Sequence, residues 1–368
     1  MWKGVNHMAV KMPSIEVIFK QLAGSLIDRS ERSIAILIIK DNTDETIYKK
    51  YKDITQADAD EKIYTTENLR YIKDVLIWGV MECHVVRVCE NSNLNDVFKI
   101  IEKKVKTGWI SIADGTSEDF ESIASWIKSK ENQNKTYKAV VYQTAVTDCK
   151  HIVNFYNKRV TFADDRGEQE GFCYCPSLIG ILAKCNIKKG CTYFKCSNLT
   201  SVEEMDENDK ALSDGKFILF NDDEVVRVGA GINSMTTTDG LNNTEDMKYI
   251  ETVEAMDIIN DDISKVFKEE YLGNYRNNYD NQILFISAIN TYFKELANDY
   301  VLDNNYSNKA DIDVDAQRDA WISIGKTEAE YWDKQTVKNN AFKRTVYLTG
   351  DIKILGSMEN LKFTVTLF

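Results

Sequence analysis

Gly325, Lys326 and Thr327 repeat the last three residues of a phosphate-binding loop, which wraps backbone amides around phosphate. Such a loop needs a glycine five positions before Gly325. That place is Ala320, inside a helical pattern with no strand before it, so no nucleotide site is expected. Gly229 and Gly231 open a dinucleotide-binding fingerprint behind a strand-like run. Its last position is Ser234, and the following Met235–Gly240 stretch is unable to start the required helix, so both glycines read as a bend leaving a β-hairpin. Asp311, Asp313 and Asp315 occupy the first ligand positions of a calcium loop. Ala316 and Ile322 stand where its sharp turn and bidentate carboxylate belong, which makes a capped helix start the better reading. The histidines are His7, His84 and His151. None lies in a zinc-protease motif, no G-x-S-x-G nucleophile elbow is present, and no clear Cys/His pairing stands out. His84, beside Val85 in a strand-like run, reads as a packed residue. No pair of carboxylates is singled out by an apolar setting that would shift its proton affinity.

The chain has eight cysteines, five of them (Cys173, Cys175, Cys185, Cys191, Cys196) in one cluster, with Cys83, Cys89 and Cys149 apart. Zinc knuckles put paired thiolates on one tight turn through C-x-x-C. Here the spacing is C-x-C followed by gaps of nine, five and four residues, so free thiols in a reducing compartment are expected. A cysteine-rich metal-binding protein and an α/β enzyme with a site assembled from distant residues remain the rival readings. No cofactor, catalytic residue or metal ligand is assigned.

A length of 368 residues fits two or three domains at about 150 residues each. The composition, 43% hydrophobic and 28% charged, is that of a folded globular protein. The longest apolar run is Ile34 to Ile39, too short to span a bilayer, and the start lacks the basic and apolar segments of a signal peptide. A formal charge of −12 argues against wrapping nucleic acid or lying on an anionic membrane, since both repel a net anion.

From Ser33 onward, strand and helix patterns alternate. Ile34–Ile39 reads as a buried strand, Glu67–Ile77 as a helix behind a Thr65/Thr66 cap, Val85–Val88 as a strand and Leu94–Val105 as a helix. Trp109–Ile112 is a short strand, and Thr116 with Asp119 starts a helix ending near Lys130. Ala139–Tyr142 and Ile152–Phe155 complete a pattern that predicts a largely parallel sheet with helices on both faces. After an acidic linker at Glu203–Asp209 the character changes. Lys216–Phe220 and Glu224–Val228 read as a hairpin. Two long helices follow, one with Ile250, Val253, Met256, Ile259, Ile263 and Val266 on a face, the other with Ile283, Ile286, Ile289, Tyr292, Phe293 and Leu296. A helix over Val314–Ile324 precedes two closing strands, Thr345–Leu355 and Leu361–Leu367, around a turn at Gly356–Asn360.

Near the other end, Ile15–Phe19 is a lone strand with no sequence neighbour to pair with. Strand-forming segments at both ends, and no visible active site, point to a subunit that exchanges strands with copies of itself. Added strands are specific because the receiving edge sets the hydrogen-bond register.

In these stretches the sequence resembles the contractile tail sheath family of myophages, defective prophages and R-type bacteriocins. The resemblance is carried by MPSIEVIFKQLAGSLIDRSERSIAILIIKD (Met12 to Asp41), GKFILFNDDEVVRVGAGINSMTT (Gly215 to Thr237), MDIINDDISKVFKEEYLGNYRNNYDN (Met256 to Asn281), IDVDAQRDAWISIGK (Ile312 to Lys326) and DIKILGSMENLKFTVTL (Asp351 to Leu367), in the family's order. Between Asn42 and Asp209 it rests on the α/β pattern.

It implies an N-terminal arm (1–22), an α/β domain (23–205) of subtilisin-like fold without a catalytic triad, an α+β domain (206–349) and a C-terminal strand pair or arm (350–368). It also implies a structural polymer without enzymatic activity, partnered by copies of itself, a tail tube protein, and baseplate and tail terminator proteins. Its place would be the sheath of a virion or phage-tail-like particle, made in the bacterial cytoplasm. The expected arm contacts are Ile15, Val17 and Phe19 on the N-arm, Phe217, Leu219, Val226 and Val228 on the receiving hairpin, and Leu361, Phe363, Val365 and Leu367 on the C-arm.

Overall fold

An uninterrupted apolar run with β-branched residues at alternate positions is the signature of a strand covered on both faces. In the computed structural model Ile34–Lys40 is that strand, β1, with Ala35 to Ile39 fully buried. The structure describes Ile27 and residues 32–88, 93–145, 147–185, 189–241 and 243–366. They fall in two compact units, one within Ser30–Ile259 and Ile354–Phe368, the other within Asn260–Lys353.

The first unit continues through β2 (Tyr48–Tyr51), α1 (Ile54–Ala59), α2 (Thr66–Leu76), β3 (Glu82–Val88), α3 (Leu94–Lys104), β4 (Gly108–Ile112), α4 (Ser117–Glu131), β5 (Tyr137–Tyr142) and β6 (Ile152–Phe155). Next come β7 (Arg159–Phe162), β8 (Glu168–Glu170), α5 (Cys175–Lys184), β9 (Leu199–Val202), α6 (Asn208–Ser213), β10 (Lys216–Phe217), β11 (Leu219–Asp222), β12 (Val225–Val228) and α7 (Ile250–Val266), whose last turns enter the second unit. The second unit holds α8 (Tyr279–Asn298), β13 (Lys309–Ile312), α9 (Val314–Ser323), α10 (Lys334–Asn339) and β14 (Leu348–Asp351).

Seven strands form one sheet in the order β10-β6-β5-β4-β1-β3-β2, parallel throughout except for the antiparallel edge strand β2. β1 is flanked by β3 and β4, so the chain first steps one way and then reverses. Right-handed crossovers therefore put α2 on one face and α3 and α4 on the other. Phe98 of α3 stacks on Trp126 of α4 at 4.7 Å, and α5 lies against α2. The mixed α/β architecture agrees with the sequence reading.

Local hydrogen bonding sets the helix starts where the sequence places them. The Thr65 hydroxyl accepts from Asn68 N, and Thr116 with Asp119 forms a reciprocal capping box. Asp313 accepts from Ala316 N, so the three aspartates do mark a helix start. Gly325, at φ +91°, ends α9, and Lys326 rests over the rings of Trp321 and Trp332 at 5.3 and 5.1 Å.

Four expectations need correction. Lys216–Phe217 leaves the hairpin and joins β6 as a parallel edge strand, so the hairpin is only Leu219–Val228. The expected pairing of Thr345–Leu355 with Leu361–Leu367 is not seen over the described residues 361–366; β14 pairs with β13, and residues 355–366 contain no strand. Ile283 lies on the exposed side of α8, where Phe285 takes its place in the buried stripe. On α7 Met256 is only half-buried, while Glu254 and Asp257 share the buried face with Val253 and Ile258. The hairpin packs into the unit of the parallel sheet, so the boundary drawn at 205/206 does not coincide with the one between the two units. The N-arm, with Ile15, Val17 and Phe19, lies outside the described residues.

Gly180 in α5 shows how closely α5 and α2 approach. A Cβ there would sit 2.6 Å from the Val75 carbonyl oxygen and 2.7 Å from Trp78. Alanine favours a helix by about 1 kcal/mol over glycine, but here it collides with backbone. Gly180→Ala is expected to destabilise the protein by about 1–3 kcal/mol, read from the shift of the urea midpoint.

Candidate assembly surface

A strand edge receives another strand only where its outward N–H and C=O groups are free. On β11 the outward groups of Leu219 are taken by Asn157, whose amide accepts from Leu219 N at 2.7 Å and donates to its carbonyl at 2.8 Å. Asn221 N donates to Glu204. The outer edge of β12 is occupied by residues 193–196, through Cys196 N to Val226 O and Val228 N to Phe194 O. Phe217, Leu219, Val226 and Val228 are all buried inside their own chain.

The β13–β14 ladder is closed on one side by the same device. Asn290 accepts from Ala310 N at 2.7 Å and donates to Ala310 O. Ala310 is opposite Gly350 and Ile312 opposite Leu348, so alternation turns the backbone groups of Leu348 and Gly350 to the outer edge of β14. No hydrogen bond reaches them there among the described residues. Thr349, Gly350 and Asp351 are exposed.

The C-terminal run is tied down and then released. Ser357 donates from its N–H and hydroxyl to the two carboxylate oxygens of Glu251, at 2.7 and 2.5 Å, and Thr192 donates to Glu359 at 2.7 Å. Beyond this point Leu361, Phe363 and Val365 are 92%, 80% and 63% exposed, alternating with Lys362 and Thr364. That alternation is the pattern of a strand awaiting a sheet. Leu367 lies outside the described residues.

Below the amino ends of β4, β5 and β6 lies a buried group of charges that sequence reading missed. Lys138 reaches both Glu254 and Asp257 of α7 at 3.1 Å, and Trp109 Nε1 donates to Glu254 at 2.8 Å. His151 contacts Asp257 through Nε2 at 3.0 Å and Glu131 through Nδ1 at 2.9 Å. Burial alone would lower the proton affinity of His151, but Asp257 and Glu131 outweigh it and raise its pKa to about 9. Burial likewise opposes ionisation of Asp257, yet the charges of Lys138 and His151 hold its carboxyl far below the usual range. The legible signal was Glu254 and Asp257 beside Val253 and Ile258 in a helical pattern. Cys149 Sγ lies 2.9 Å from the Glu131 oxygen that His151 contacts, a meeting of cysteine and histidine through a shared carboxylate that the sequence did not single out. His84 is buried between Tyr48 and Glu82, as a packed residue. The described cysteines are unbridged thiols, and in the cluster only Cys185 is not fully buried. Burial raises the thiol pKa of Cys196 to about 12.

Residues 242–368 match the phage tail sheath C-terminal domain. The chain is 26% identical over 366 residues to the tail sheath protein of Clostridium phage phiCD119, covering 96% of this chain and 98% of that one. Among solved structures, the sheath tail protein of Desulfitobacterium hafniense is similar at a TM-score of 0.66 and 13% identity, over 84% of this chain and 94% of that chain. The helical sheath of the anti-feeding prophage in its contracted state is similar at a TM-score of 0.69 and 12% identity, over 99% of each chain. Among the described residues no helix is long and apolar enough to cross a membrane. With a fold similar to that of sheath subunits over nearly its whole length, and sequence similarity to a phage sheath protein along nearly its whole length, the chain is homologous to the contractile tail sheath proteins of phages and phage-like particles.

Proposed function

We propose that this chain is the repeating subunit of a helical sheath that surrounds a tail tube, docks on a baseplate and is closed by a terminator protein. Neighbours are joined by strand exchange through the terminal arms, with Ile15–Phe19 as the N-arm and Leu361–Leu367 as the C-arm. The observation that carries this reading is an alternating apolar segment, 361–366, without hydrogen-bonded partners among the described residues, in a chain whose β14 edge also has none among them. The edge of β14 is the receiver that asks for no rearrangement, since reception on the Leu219–Val228 hairpin requires Asn157 to be displaced from Leu219. The subtilisin-like label of the α/β unit is kept as a description of fold only. Contraction then follows as a transition between two packings of the same subunits, with rotation outward and greater mutual burial while the arms keep the lattice connected. It needs no nucleotide. The net charge of −12 favours a tube surface with complementary basic residues.

Electron microscopy of polymers from two variants of one residue tests the receiver. Gly350 has room for a Cβ, the nearest atom being 3.9 Å away. Gly350→Ala keeps the outward N–H and is expected to assemble normally. Gly350→Pro removes it and is expected to give folded subunits that form no long polymer. Normal polymers from the proline variant would return the receiving role to the hairpin.

A further inference from the structure

We propose that Glu131, Cys149 and His151 form a binding site for a divalent transition-metal ion of the zinc type, with water as the fourth ligand. This inference does not rest on the sheath reading. Glu131 is the last residue of α4, and Cys149 and His151 stand two residues apart in the turn entering β6. One ligating atom from each lies within 4.8 Å of the others. Tetrahedral zinc, with bonds of about 2.0–2.3 Å, places its ligand atoms roughly 3.3–3.7 Å apart, so small side-chain torsions would close the set.

The turn is held for such a task. The Cys149 carbonyl accepts from Ile152 N and from the Ser234 hydroxyl, and Asp148 accepts from Thr236 N and Thr237 N at 2.7 and 3.0 Å. The second shell is also in place. Asp257 holds His151 Nε2 at 3.0 Å and is itself held by Lys138, an arrangement that fixes the ring and leaves Nδ1 to face the metal position. Lys150 lies 3.8 Å from the other Glu131 oxygen, and Lys128 is engaged by the Thr147 carbonyl. Cys149 and His151 are buried while Glu131 is only half-buried, which leaves the fourth position open to water. A thiolate, an imidazole and a carboxylate suit zinc or cobalt, and do not suit magnesium or calcium, which take oxygen ligands. Loading displaces the thiol proton of Cys149, which leaves as the thiolate takes the metal. The bound ion would tie the end of α4 to the start of β6 and, through Asp257, to α7.

The test is titration of chelator-treated full-length protein with Co²⁺. The expected result is one equivalent bound, with a thiolate-to-cobalt charge-transfer band that Zn²⁺ displaces. Cys149→Ser should lose the band, while Cys185→Ser should keep it. A wild-type protein without the band, or a band undiminished in Cys149→Ser, overturns the site. Should Cys149→Ser lose its folded circular dichroism, Glu131→Gln decides: at least tenfold weaker cobalt binding supports the site, and unchanged binding overturns it.

Discussion

Truncation after Asn360 is expected to leave a folded monomer and to abolish the polymer. Leu361, Phe363 and Val365 are exposed, and residues 361–366 make no hydrogen bond to the rest of the described chain, so their loss is expected to change monomer stability by no more than about 0.5 kcal/mol. In an assembled sheath the same three side chains would each contribute roughly 1.5–3 kcal/mol on burial. The added strand would contribute several backbone hydrogen bonds of about 0.5–1.5 kcal/mol net apiece. A contact of that size would recur at every subunit, so its loss is expected to remove association altogether rather than shorten the polymer. Sedimentation velocity and negative-stain electron microscopy, run beside a urea melt of the monomer, read both halves of the prediction. Tubes or rings of normal length from the truncated chain would end the arm hypothesis, while a destabilised monomer would show that the segment also belongs to its own fold.

Lys138→Ala is expected to cost about 3–5 kcal/mol of folding stability, the usual penalty for removing one partner from a buried ion pair. The Lys138 side chain is 3% exposed and stands between Glu254 and Asp257. Without it, two carboxylates remain in a dry setting with His151 as their nearest compensation. The burial that makes a charge costly also makes its partner valuable. Pairing the change with a neutral carboxylate separates the two effects. Lys138→Met with Glu254→Gln should cost less than the sum of the single changes, because the second removes a charge the first had stranded. Urea unfolding measures each corner of the cycle. A loss below about 1 kcal/mol for Lys138→Ala would mean that water reaches the cluster.

The parts of the fold legible in the sequence are those fixed by residues a few positions apart. Apolar run and β-branching marked β1; a threonine three residues ahead of a backbone donor marked the starts of α2 and α4; an aspartate cap marked α9. Each depends on hydrogen bonds that close within one turn, or on a periodicity of 2 or 3.6 residues. The resemblance worked in the same way, through short runs in a fixed order, and full-length similarity to a sheath protein bears it out.

What was illegible depends on which distant segments meet. Thr345–Leu355 looks apolar enough to pair with the strand after it, but β14 pairs with β13, about forty residues earlier, because α8 presents Asn290 and an aromatic face that hold β13 in place. Whether an edge is free is decided by a side chain from elsewhere, as Asn157 decides it for Leu219. Lys138, His151 and Asp257 are unremarkable as sequence, being separated by more than one hundred residues along the chain from the first to the last. Local geometry and alternation therefore settled, from the sequence by itself, most of the strands and helices of the parallel sheet and the starts of its helices. Tertiary structure alone decided the sheet order, the open edge and the buried charge cluster, because each is created by the arrival of a neighbour whose distance along the chain no local pattern encodes.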